Sequence, residues 1–170
     1  MAVITYSDLA QGLTPAATAA AGAPTGTSPA PLPQCAGEVV SVRAKLTVAA
    51  AGPAINDVGV MCLLPAECEP VDCTLITDGI DTSTGLTTSV SVLDDTLAAA
   101  VASTDFITSS TIGRSSTAGV ARASVAAGLE LTATLLDRWI GVVFTAAPTT
   151  QAAGYVYLIF TYRRGIVAGG

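Results

Sequence analysis

From residue 38 onward the hydrophobic positions of this chain recur at every second residue. Across 38–48, Val40, Val42, Ala44, Leu46 and Val48 alternate with Ser41, Arg43, Lys45 and Thr47, the pattern of a strand with one buried and one wet face. The turn residues of 51–54 (Ala-Gly-Pro-Ala) separate this run from an apolar stretch at 58–64 that stops at Pro65. The run 71–77 sets Val71, Cys73 and Leu75 on one side and ends at Asp78-Gly79, and the run 86–93 places Val90 and Val92 between Ser89 and Ser91. Alternation predicts further strands at 129–134, 139–145 and 155–162. In the last two both faces are apolar: Ile140, Val142 and Phe144 oppose Trp139 and Val143, while Tyr155, Tyr157 and Ile159 oppose Val156, Leu158 and Phe160. A strand of that kind is central in its sheet or covered by a partner. The stretch 97–113 breaks the alternation. Its segments 97–101 and 104–107 each suit a helical turn, with Thr104 or Asp105 as N-cap, so a short helix or an irregular crossover is expected there.

Seven or eight short strands bounded by turn residues predict an all-β fold, an antiparallel β-sandwich of jelly-roll type with at most one short helix. Residues 38–170 suffice for one domain with one core. Trp139, the sole tryptophan, reads first as core packing and second as an interface anchor.

Residues 1–37 are unlike this body. They carry one ionisable side chain, Asp8, and include Pro15, Pro24, Pro29, Pro31 and Pro33 out of nine prolines in the chain. The run Pro29-Ala-Pro-Leu-Pro33 fixes φ repeatedly and removes amide donors, which favours extended chain over helix or central strand. The composition alone fits a disordered tail. Val3, Ile4, Tyr6, Leu9 and Leu13 add apolar anchors that a purely solvated tail would lack, and they favour an extended arm that orders on a neighbouring subunit.

Residues 1–20 have no Lys or Arg and no unbroken apolar run, so no secretion signal is read. The longest apolar runs fall far short of the roughly 20 residues a membrane helix needs. The mean hydropathy of +0.61, with only 12% charged residues, is therefore ascribed to a core and to subunit contacts.

Charge narrows the partners. A net charge of −6 and a pI near 4.3, with Lys45 as the only lysine and the arginines scattered apart from Arg163-Arg164, argue against nucleic acid. The arginine pair reads as a solvated strand end. The absence of histidine removes Ser-His-Asp and Cys-His catalysis and most transition-metal sites. Cys35, Cys62, Cys68 and Cys73 match no CxxC metal spacing. Cys62 and Cys73 sit in apolar runs as small hydrophobes, and Cys68, between two glutamates, is read in a turn and open to pairing; with no secretion signal, reduced thiols and a cytoplasmic assembly are expected. Asp78 with Asp81, and Asp94 with Asp95, read as turn carboxylates that bond local amides, ahead of a calcium or two-carboxylate site. No phosphate-binding glycine pattern occurs. No cofactor, metal or catalytic residue is assigned, and no enzyme activity is expected.

With the strands laid out, residues 56–162 resemble the small head-decoration (cement) proteins encoded beside the major capsid protein in tailed bacteriophages. The resemblance is carried by Asn56-Asp-Val58 entering a strand, the apolar strand before Pro65, and the run 71–77 leading into Asp78-Gly-Ile-Asp81. It continues through Asp105-Phe-Ile-Thr-Ser-Ser-Thr-Ile-Gly113, Gly119-Val-Ala-Arg122, Thr145-Ala-Ala-Pro-Thr-Thr150 and Gly154-Tyr-Val-Tyr-Leu-Ile-Phe-Thr-Tyr162. The long Pro-rich arm and the cysteines depart from the family's pattern. The resemblance implies a structural virion protein that forms a homo-oligomer, dimer or trimer. It would be made in the host cytoplasm and would sit on the outer surface of the capsid, bound to the major capsid protein where capsomers meet. Candidate capsid contacts are Val3, Tyr6 and Leu9; candidate subunit contacts are Trp139, Tyr155 and Tyr157. Two other readings stand beside it: another minor structural protein of the particle (head-completion, tail or fibre β-domain), and a carbohydrate-binding or hydrolytic module, which would need an aromatic platform or paired carboxylates across a cleft.

Overall fold

A computed structural model describes residues 38–165 and, ahead of them, the backbone of a three-residue strand, β1 (Ile4–Tyr6). The alternating runs become β2 (Val39–Val48), β3 (Val58–Leu64), β4 (Cys68–Thr77), β5 (Thr87–Val92), β6 (Ile107–Ser110), β7 (Gly119–Arg122), β8 (Arg138–Ala146) and β9 (Gly154–Arg164), with one short helix, α1 (Ala126–Leu129), between β7 and β8. They form two sheets. Sheet A has the order β1-β3-β8-β5-β6 and sheet B the order β2-β9-β4-β7; every pairing is antiparallel except that of β1 with β3.

The core lies between the sheets and follows the two-residue period. Sheet B contributes Ala44 and Leu46, Cys73 and Leu75, and Val156, Leu158, Phe160 and Tyr162; sheet A contributes Met61, Leu64, Val90, Ile140 and Val142. Phe106 meets Phe160 edge to face, with ring centroids 5.3 Å apart. Because β8 lies between β3 and β5 and β9 between β2 and β4, both strands with two apolar faces are central. For β8 the second face is covered from within the chain. Asp94 gathers the loop after β5 by accepting the amide of Ala98 (3.0 Å) and the hydroxyl of Thr96 (2.8 Å). That loop lays Leu93 and Leu97 onto Val58, Val60 and Val143, with Trp139 at the margin.

Several expected features are corrected. Of the two alternatives for 97–113 the irregular crossover forms and the helix does not; turns lead there into β6. Residues 129–134 are not a strand, and the helix ends on the first of them, Leu129. Gly128 explains why: a Cβ there would lie 2.6 Å from the carbonyl oxygen of Asp105 and 2.7 Å from the Phe106 ring, so the chain closes on the Phe106 segment at this point instead of extending. Glu130, Thr132 and Thr134 follow as irregular chain, with Ala133 buried and Leu129 and Leu131 packed on the core. The third run begins earlier than its pattern suggested, at Cys68, which is buried in a strand and not in a turn. A bulge between Pro70 and Asp72 also turns Val71 away from Cys73 and Leu75, leaving it 41% exposed. Cys62, Cys68 and Cys73 are free and buried, and burial raises all three thiol pKa values. Cys35 lies outside the described residues.

Candidate interaction surfaces

On sheet B, antiparallel register sets out the outer face row by row. Lys45, Tyr157, Ile76 and Val120 stand side by side across β2, β9, β4 and β7, and the next row is Arg43, Ile159, Thr74 and Arg122. Tyr155 and Tyr157, two residues apart on β9, point the same way with ring centroids 6.1 Å apart. Cations stack on them: the Lys45 ammonium is 3.6 Å from the Tyr155 centroid, and the Arg43 guanidinium 4.6 Å from that of Tyr157. Such stacking holds the rings broadside and keeps positive charge beside an apolar stripe. Tyr155 is 38% and Val120 62% exposed.

Arg163 continues this face, so four of the seven basic residues of an acidic chain lie on it. The acids beside them, Asp72 and Glu69, pair with Arg122 and with Arg163 (2.7 Å), and Arg164 pairs with Glu67 (2.5 Å). The Arg163-Arg164 strand end is thus balanced within the chain, through exposed pairs that contribute little to stability.

A second surface surrounds the turn before β8. Leu135 and Leu136 are 71% and 75% exposed, between two concavities of about 280 and 430 Å³. The larger is lined by Leu131, Leu136 and Trp139 together with Asp94 and Asp95. Trp139 therefore serves both readings given to it, packing on the Leu97 cluster and lining an open groove. The Leu-Leu pair lies just past the alternation, which ends at Thr134, and so carries no two-residue period. Two consecutive leucines directly before Asp137-Arg138 were the available signal.

A third surface is the edge of β3. Tyr6 lies in β1 opposite Val60, its main chain committed to that edge. Val3, Leu9 and the remainder of 1–37 lie outside the described residues.

The carboxylates take the turn role expected of them. Asp81 is fully buried and accepts the amides of Ser83 (2.9 Å) and Thr150 (3.2 Å) on one oxygen and of Leu86 (2.9 Å) on the other. Its own amide donates to Gly113, and its carbonyl accepts from Ser116. One residue thereby ties together the loops around 78–86, 111–117 and 147–152. Asp78 accepts the Tyr155 amide at the start of β9 (2.9 Å). No group of three or more Cys, Asp or Glu suited to a metal occurs among the described residues.

No family model and no curated protein matches the chain. Solved structures do. A chain in the capsid of Ralstonia phage GP4 matches with a TM-score of 0.78 and 26% identity, over 97% of this chain and 100% of that one. The fold is that of a chain found in a phage capsid. A chain of the cyanophage Pam1 capsid asymmetric unit shares the fold at a TM-score of 0.59 and 24% identity, over 89% of this chain and 97% of that one. This relationship to phage capsid proteins agrees with the structural role read from the residues.

Proposed function

We propose that the chain is a structural virion protein that decorates and stabilises a bacteriophage capsid from outside, binding across seams between capsomers of the major capsid protein. The observation that carries the reading is the match, end to end, to a chain of the GP4 capsid. The surfaces support it: a small acidic protein exposes a cationic aromatic sheet face and a leucine knuckle, more adhesive surface than a monomer needs. In this reading residues 1–37 form an extended arm that holds the shell, with Val3 and Leu9 as its contacts and Tyr6 adding its side chain. The body, 38–170, is a jelly-roll-like domain that forms the oligomer through Tyr155 and Tyr157, with Trp139 at a second contact. Charge favours a second copy against the tyrosine face, because that face is basic while the chain as a whole carries −6. Several arms on one oligomer would raise the effective concentration of each contact.

Copy number separates decoration from a head-completion or tail role. Quantitative protein staining of purified particles is expected to give this chain in a fixed ratio to the major capsid protein, hence hundreds of copies. A number matching a single connector ring would overturn the proposal.

A further inference from the structure

The edge of β3 is filled by the beginning of the chain itself. β1 runs parallel to β3, with Ile4 opposite Val58, Thr5 opposite Gly59 and Tyr6 opposite Val60; among the described residues it alone continues sheet A beyond β3. A bare edge of this kind is a template for any strand that reaches it. Val58 and Val60, 1% and 0% exposed, stay fixed in the cluster with Leu97 and Val143, so the edge offers main chain held rigid by the body.

The next described strand, β2, belongs to the other sheet, and the roughly 30 residues that separate them in sequence are enough to span on the order of 100 Å. A domain of this size is about 35 Å across. That length lets Ile4–Tyr6 reach the β3 edge of a neighbouring copy as well as that of its own body. The same three residue pairs form in either case, so concentration decides. A chain's own edge is present at an effective concentration of about a millimole per litre, and copies standing side by side match or exceed it.

We propose that the β3 edge is a strand-acceptor site whose occupant, in assembled protein, is the Ile4–Tyr6 strand of a second copy. The exchange adds one parallel strand across the junction and links the copies without any surface a single copy lacks. This inference concerns contact between copies, and its test contains no capsid, so its failure and the failure of the decoration reading are separate results.

The test mixes two full-length forms at about millimolar protein, the range where the two pairings compete evenly. One is unlabelled in nitrogen and carries a nitroxide on Ala2→Cys in a Cys35→Ser background; Cys62, Cys68 and Cys73, at most 1% exposed, are shielded from the reagent. The other is ¹⁵N-labelled and has the natural arm. In an equal mixture the amide signals of Val58, Gly59 and Val60 are expected to lose about a quarter of their intensity and to regain it when the nitroxide is reduced. The inference is overturned if these signals are untouched in the mixture yet broaden when label and ¹⁵N share one chain. It is equally overturned if they broaden in neither sample, since β1 then does not occupy the edge.

Discussion

A chain truncated to begin at Cys35 is expected to fold as a β-sandwich and to bind shells lacking the protein at least about 100-fold more weakly than the full chain. Folding survives because the core of the described residues lies within 38–165, where Leu46, Met61, Leu75, Phe106 and Phe160 are all buried. Among the described residues the truncation removes the three-residue pairing on the β3 edge, worth about 1–2 kcal/mol. A single cooperative melt with a β-type circular dichroism spectrum is therefore expected. In the decoration proposal binding fails because the arm would supply apolar contacts that several copies engage at once. Co-sedimentation with shells reads the affinity directly. A truncated form that folds and still decorates with undiminished affinity would show that the body, not the arm, holds the shell.

Replacing Asp81 by Asn is expected to destabilise the protein by about 3 kcal/mol, lowering the melting temperature by about 10 °C, with little change at the outer faces. The substitution keeps the volume but turns an amide group toward donors that a carboxylate oxygen accepts, and in a fully buried position water cannot repair the mismatch. Acid behaviour gives an independent check. Burial by itself would raise the Asp81 pKa, but the amides of Leu86, Ser83, Thr150 and Gly85 outweigh it and hold the carboxyl below its ordinary value. A carboxyl depressed in the folded state contributes stability that is complete above the unfolded pKa, near 4, and is lost as pH falls through the lower folded value. The gap in stability between the natural protein and Asp81→Asn, measured by urea unfolding, should thus be constant above about pH 5 and narrow in more acid solution. A gap that is absent at neutral pH would mean that the three loops are held together by other contacts.

Much of the fold was legible because the sheets obey the two-residue period closely. β3 has the bounds its apolar run indicated, and the apolar and polar residues of β2 separate as their alternation requires. Central placement of β8 and β9 followed from their two apolar faces, although the face of β8 that asked for a partner is covered by Leu93 and Leu97 of the same chain. The failures have local causes. Leu129, Leu131 and Ala133 alternate with polar residues, yet the close approach of Gly128 to the Asp105 carbonyl commits that segment to a helical turn and irregular chain. Val71 joined the alternation on paper, and a bulge that periodicity cannot reveal turned it outward. The pairing of β1 was invisible for another reason: three residues carry no period, and their partner strand lies more than 50 residues away. Of the candidate contacts, the sequence placed Tyr155 and Tyr157 on one face, but only the register shows that Lys45 and Arg43 stack on them.

The most direct measurement is a cryo-electron microscopy map of the particle at a resolution that traces side chains. Decoration predicts density for this chain on the outer surface, repeated at every junction between capsomers, with residues 1–37 followed across the major capsid protein or a neighbouring copy and with Tyr155 and Tyr157 at a contact between copies. Density confined to a single vertex, the tail or the capsid interior would contradict it.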